Sequence, residues 1–218
     1  MESLEIIPFF QYLLKAIGTL LAIMNPFYVI PSFLAVTAEY SPEERRELAL
    51  RSVRYAFFIL VLFLLLGKIL FLAFGITITA FQLGGGILML LIALRMYFGL
   101  DSSDTQRQRL QQAEQRQDDI ALVPLAIPVI AGPGSITTVL ALKSAAPELY
   151  YEIAVFIAIL LSCGIVYLVF RKSKRIYSGL GRMGLSAVTK IMSIILVVVS
   201  VQIFLSGLES LFPGVMVR

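Results

Sequence analysis

The sequence predicts an all-α integral membrane protein: six transmembrane helices forming two inverted three-helix repeats, with helices 1 and 4 discontinuous near the midplane. Its composition, a set of long uncharged runs and a pair of proline breaks in corresponding places point there. Of 218 residues, 59% are apolar and 15% charged, and the mean hydropathy is +0.90. That balance belongs to a chain dissolved in lipid rather than water.

The uncharged runs are 16–38, 69–94, 120–142, 153–170 and 191–208. At about 1.5 Å per residue, most of them reach across about 30 Å of hydrocarbon. A sixth span, from 53 to about 72, emerges once Lys68 snorkels from a helix end. Residues 1–18 show neither a basic leader nor a small-residue cleavage pattern, so they read as the lead-in to helix 1 rather than a signal peptide.

Cys163 is the single cysteine, so no intrachain disulfide forms, and the chain has no histidine. The commonest zinc ligand and general base is therefore missing. Paired membrane aspartates and a Ser–Lys dyad at matching depth are also lacking, so the expectation is no enzyme activity and no cofactor.

Charge orients the helices, because Lys and Arg in short loops favour the cytoplasm. Loop 1 carries Arg45, Arg46, Arg51 and Arg54; loop 3 carries Arg95, Arg107, Arg109 and Arg116; loop 5 carries Arg171, Lys172, Lys174, Arg175, Arg182 and Lys190. Only Lys15, Lys68, Lys143 and Arg218 fall on the other side. The expected topology has loops 1, 3 and 5 inside and both termini outside a plasma (inner) membrane. The pI near 9.3 then reflects topology, and nucleic acid is not an expected partner.

In loop 1, Ser41, Pro42 and Glu44 spell a capping box that opens a short cytoplasmic helix. Residues 101–119 are polar and Gln-rich and read as a cytoplasmic linker between a first repeat, 1–100, and a second, 120–218. Superposing Pro26 on Pro133 aligns AIMNPFYVIPSFLAVT with VIAGPGSITTVLALKS. Each half then holds a proline-interrupted helix, an uninterrupted one, and a third opening on glycines: Gly84 to Gly86 in one half, Gly181 and Gly184 in the other. Three helices per half is an odd number, so the halves lie in opposite orientations, as in many secondary transporters.

Each proline removes a donor and displaces the carbonyl four residues earlier. Pro26 frees Ala22, Pro31 frees Phe27, Pro128 frees Pro124 and Pro133 frees Val129, while Gly132 and Gly134 loosen the second break further. Lipid cannot satisfy such groups, so they face protein or a water-filled cavity. Helix N-termini near Phe27 to Val29 and Gly134 to Ile136 suit a carboxylate. Carbonyls around Ala22 to Met24 and Val129 to Ala131 suit an ammonium group or a sodium ion. Partial charges of both signs without a formal charge favour a small zwitterion such as an amino acid. The small residues Gly132, Gly134, Ser135 and Gly84 to Gly86 point to a compact one, although small residues also let membrane helices pack closely.

NPFYVIPSFLAVT, PLAIPVIAGPGSITTVL and GLSAVTKIMSIILVVVSVQIFLSGL resemble the three characteristic stretches of the MarC family, also called the small neutral amino acid transporter family. The resemblance covers nearly the whole chain. It implies six helices and transport of small neutral amino acids such as glycine and alanine, with sodium or a proton as candidate coupling ion. Asn25 and Pro26 match the first motif, Gly132, Pro133 and Gly134 the second, and Gln202, Ser206 and Gly207 lie in the third. The chain departs from the family pattern at Tyr28, where glycine is common, and at Lys190, where arginine is.

The expected substrate site comprises Asn25, Pro26, Phe27, Tyr28, Gly132, Pro133, Gly134 and Ser135, with Gln82, Thr137, Thr138 and Gln202 as secondary candidates. Each has a plainer role to weigh. Asn25 repairs the backbone that Pro26 opens, Thr137 and Thr138 bond back to their own helix, and the glutamines bond between helices. An alternating-access carrier is the leading reading, with a channel or exporter for another small solute, or a membrane scaffold acting through 101–119, as alternatives.

Overall fold

The computed structural model describes residues 2–38, 40–99, 130–145 and 148–212. The linker 101–119, the break expected at Pro128 and the carbonyls of Pro124 and Val129 expected to be freed lie outside them. The described residues form seven helices: α1 (Glu2–Met24), α2 (Pro26–Val36), α3 (Pro42–Phe74), α4 (Ile78–Phe98), α5 (Pro133–Ala145), α6 (Leu149–Arg171) and α7 (Ser173–Leu211). Five stretches among them are long and apolar enough to cross a membrane, the first running through Asn25 from Pro8 to Pro31. Phe58, Leu65, Ile69 and Val198 are each more than half exposed. Apolar surface on that scale is a liability in water and ordinary against lipid.

Local chemistry sets the helix boundaries. Ser41 Oγ accepts from Glu44 N at 3.2 Å and Glu44 Oε2 accepts from Ser41 N at 2.7 Å, so the capping box is formed. The short separate helix expected after it is not: α3 continues for 33 residues, because no glycine or proline interrupts the chain between Pro42 and the last turns. Thr77 caps α4, with Oγ1 accepting from Ala80 N at 3.1 Å. Gly84, Gly85 and Gly86 therefore lie inside α4 rather than at its opening. Gly75 and Gly99 end α3 and α4 with φ of 65° each, a conformation other residues adopt at a cost. Gly181, φ 64°, kinks α7.

Helix starts recur at a fixed offset. Pro26 and Pro133 open α2 and α5, and 107 positions also separate the starts of α3 at Pro42 and α6 at Leu149. The left-handed glycines Gly75 and Gly181 repeat the spacing to within one residue.

Packing divides the helices differently from the chain's two halves. One core joins α1, α2, α3, α5 and α6, including Phe33 stacked on Phe170 with ring centroids 4.7 Å apart and an edge contact of Phe57 with Phe156 at 5.9 Å. A second, smaller core joins α4 and α7 through Met89, Ala93, Met96, Leu196 and Ile203. Ile23 packs against the smaller core and Tyr28 against both, so the seam between the two bodies runs past the end of α1.

Two polar ties mark opposite ends of the larger body. At one, buried Arg45 donates through Nε to Thr37 Oγ1 at 3.0 Å and through Nη2 to the Thr37 carbonyl. At the other, Lys143 Nζ donates to the Leu64 carbonyl at 2.6 Å and pairs with Glu152 at 2.7 Å. Tyr12 reaches the Leu142 carbonyl at that same end. Asn25 is thirteen residues from Tyr12 and twelve from Thr37, about 20 Å and about 18 Å along the helices, and so lies midway between the ends.

Candidate functional site

Between Met24 and Pro26 the chain leaves the helix for one residue. Asn25 has φ 31° and ψ 69° and is the one non-glycine residue with positive φ among those described. Its own N–H still reaches the Leu21 carbonyl at 3.0 Å, whereas Pro26 has no N–H to offer Ala22. A left-handed residue costs roughly 1–2 kcal/mol, least for Asn and Asp, whose side chains bond locally. Asn25 does so. Oδ1 accepts from Tyr28 N at 3.4 Å, and the same N–H reaches the Asn25 carbonyl at 3.1 Å. The residue is 2% exposed, and its Nδ2 has no hydrogen-bond partner among the described residues. The amide thus repairs one donor of α2 and leaves its own donor group bare, at a cost on the order of 1–3 kcal/mol for such a buried group.

The α5 start is built differently. Ser135 Oγ donates to the Ile130 carbonyl at 2.7 Å and Ile136 N to the Gly132 carbonyl at 3.1 Å. Ile130, one of the carbonyls expected to be open to a cation, therefore already has a donor. Gly134 and Ser135 contribute first-turn N–H groups, and Pro133 at the first helical position has none to lose. Because Tyr28 N–H is occupied, the α5 end is the more open of the two as an anion site.

The α5 start meets Ile23, two residues before the Asn25 break. A cavity of about 30 Å³ is lined by Ile23 of α1, Gly132, Gly134 and Ser135 at the α5 start, Met89 and Ile92 of α4, and Leu196 of α7. A Cβ on Gly134 would fall 2.9 Å from Met89 Cγ and 3.3 Å from Ile23 Cγ2, so glycine is what keeps this space open. The volume holds about two waters and not a whole amino acid. Asn25 and Pro26 are buried and Phe27 and Tyr28 half-buried, and none of the four is in the cavity lining.

The secondary candidates separate. Thr137 Oγ1 donates to the Pro133 carbonyl at 2.7 Å, a bond back to its own helix, and its side chain fills the space over Gly85. Thr138, one residue on and 1% exposed, has no partner for its hydroxyl among the described residues. Gln82 and Gln202 line a different space from Gly132, Gly134 and Ser135, a cleft of about 710 Å³ on the Lys143 side. Gly86 packs against Ser200 and Phe204, and Gly207 against Gln82 and Leu83, so these glycines serve close approach of α4 and α7. Sequence reasoning did not find Ile23, Met89, Ile92 and Leu196, since apolar residues on apolar helices carry no signal of facing a cavity.

A family model for MarC family integral membrane proteins matches residues 10–212. The chain belongs to the MarC family. A membrane protein of Aquifex aeolicus, named only as UPF0056, is 46% identical over 197 residues, covering 90% of this chain and 92% of its own length. YvbG of Bacillus subtilis is 34% identical over 94% of this chain and 97% of its own, and YhcE of Escherichia coli 29% identical over 90% and 92%; both are named UPF0056 membrane proteins. No solved structure matches this chain. These names place the MarC chain among multi-pass integral membrane proteins and assign it no substrate.

Proposed function

We propose that the chain is a secondary transporter of small neutral amino acids, glycine and alanine foremost, working by alternating access. One observation carries this reading: the α5 N-terminus lines a small cavity together with Ile23, two residues before the Asn25 break, at the seam between two packed bodies. The substrate carboxylate sits against the Gly134 and Ser135 N–H groups and Asn25 Nδ2. Its ammonium group sits toward the Ala22 carbonyl that Pro26 leaves open. Both poles are met by partial charges, so a zwitterion binds without burying a net charge.

The cavity is too small for the whole substrate as it stands, which fits a site that forms when the α4–α7 body moves on the larger one. Recurrence of helix starts 107 positions apart supports two repeats of opposite orientation. By the positive-inside rule the arginines near α3's start favour the cytoplasm for that end, and the outside for the Lys143 end and both termini. Sodium or a proton remains the candidate coupling ion. Among the described residues no carboxylate is fully buried, which favours sodium on backbone carbonyls over a carboxylate relay.

Purified protein in liposomes loaded with unlabelled glycine or alanine should accumulate the labelled amino acid by counterflow. Well-folded protein that shows no exchange with any neutral amino acid would sink the assignment. Conductance without counterflow would make the chain a channel.

A further inference from the structure

The cleft on the Lys143 side has a chemistry of its own. At about 710 Å³ it falls within the size range of small-molecule sites, and four helices, α1, α4, α5 and α7, wall it. Lys15 on α1 and Glu209 on α7 bring one formal charge of each sign to its lining, and both are exposed. Deeper in, Gln82 is 9% exposed, and Thr138 is 1% exposed with an unpartnered hydroxyl. A buried hydroxyl that bonds neither to its own helix nor to a neighbour is costly, unless something entering the cleft completes it.

The cleft begins beside the central cavity, with Val198 two residues beyond Leu196 on α7, and extends outward from it. Lys15 is ten residues before Asn25, about 15 Å along α1, and Ser206 is ten residues beyond Leu196 on α7, a similar height. Thr138, at the floor, is one turn from Ser135. The Thr137 side chain over Gly85 lies between the two levels.

We infer that this cleft is a second, outer binding site for small dipolar solutes, with Lys15 and Glu209 as its charged poles and Thr138, Gln82 and Gln202 as its polar floor. The solute class rests on the transport reading above. A net anion drawn by Lys15 is repelled by Glu209, and a net cation the reverse, so the pair selects for a molecule carrying both charges.

The test uses Ser206→Cys in the full chain in nanodiscs, with a charged thiol reagent as probe; the native Cys163 is buried. Glycine or alanine should slow labelling at least threefold. The concentration giving half protection should rise at least tenfold in Lys15→Gln and in Glu209→Gln, and stay within threefold of the parent in Lys15→Arg and Glu209→Asp. Protection should persist in Asn25→Ala, or in Gly134→Ala if the former does not fold. No protection, protection indifferent to both charge removals, or protection lost with the central-site variants would each overturn the outer site. Counterflow without protection defeats this inference alone, and protection without counterflow defeats the transport reading alone.

Discussion

Gly134→Ala turns the central cavity into a measurement. The new methyl group would sit 2.9 Å from Met89 Cγ and 3.3 Å from Ile23 Cγ2, so one or both must give way by several tenths of an ångström. Overpacking of this kind costs typically 1–3 kcal/mol, and Met89, being flexible, holds it toward the low end. Gly134 lies in the first turn of α5 without a positive φ, so alanine recovers about 0.4–1 kcal/mol by restricting the unfolded chain. The net loss is thus about 0–2.5 kcal/mol. At about 2–4 °C per kcal/mol for a chain of this size, the melting point falls by no more than about 10 °C. Function should suffer far more. A methyl group takes up about as much room as one water, and the cavity holds only about two. Counterflow should drop at least tenfold while the protein remains folded and monodisperse. Gly84→Ala is the control, since nothing lies within 4 Å of its Cβ, and it should leave both stability and counterflow intact. If Gly134→Ala exchanges amino acids at the parent rate, or if Gly84→Ala loses exchange equally, the cavity is not where substrate binds.

Asn25→Gly should keep the left-handed backbone at little cost yet abolish transport. Asn25→Ala should also lose about 1–3 kcal/mol of stability through backbone strain and the lost cap; a glycine variant that transports normally would reduce Asn25 to a turn residue. Lys143→Met removes both the Glu152 pair and the bond to Leu64 and should cost about 1–3 kcal/mol, read as a lower melting point, with Glu152→Gln costing less because Leu64 keeps its donor. Arg45→Met leaves the Thr37 carbonyl without the guanidinium and should raise amide hydrogen exchange over the last turn of α2, with exchange in α6 unchanged.

Much of the architecture was legible because the signals were local. A capping box at Ser41 and proline at the starts of α2 and α5 each act within a few residues, and each appears in the fold; of the uncharged runs, 153–170 and 191–208 fall within single helices, whereas 69–94 is divided by the Gly75 turn between α3 and α4. The glycines of α4 misled because a glycine run reads equally as an opening or as a packing surface. Only the tertiary neighbours Thr137, Ser200 and Phe204 decide between the two. Partner choice was likewise invisible in the sequence: the halves 1–100 and 120–218 are contiguous in the chain, yet α4 packs with α7 from the other half. At the candidate site, Asn25, Gly132 and Gly134 announced themselves as helix breakers. The outer cleft was written as polar stripes such as Gln202, Ser206 and Ser210, four residues apart on an apolar helix, and Lys15 and Thr19 on another. That pattern is readable, but without depth it does not say whether the stripe faces water, lipid or a neighbouring helix.

The hydroxyls of α5 bear on how the protein is made. Thirteen residues make a rod of about 20 Å, and its Ser135, Thr137 and Thr138 are all buried by other helices. Hydroxyls on an apolar run are costly against lipid. Burying them depends on surfaces supplied by α3 and α4, already synthesised, and on α6, whose first residue follows only four positions later. Biogenesis should then be most vulnerable here: a ribosome stalled before α6 emerges would leave α5 without the Glu152 carboxylate that anchors its far end.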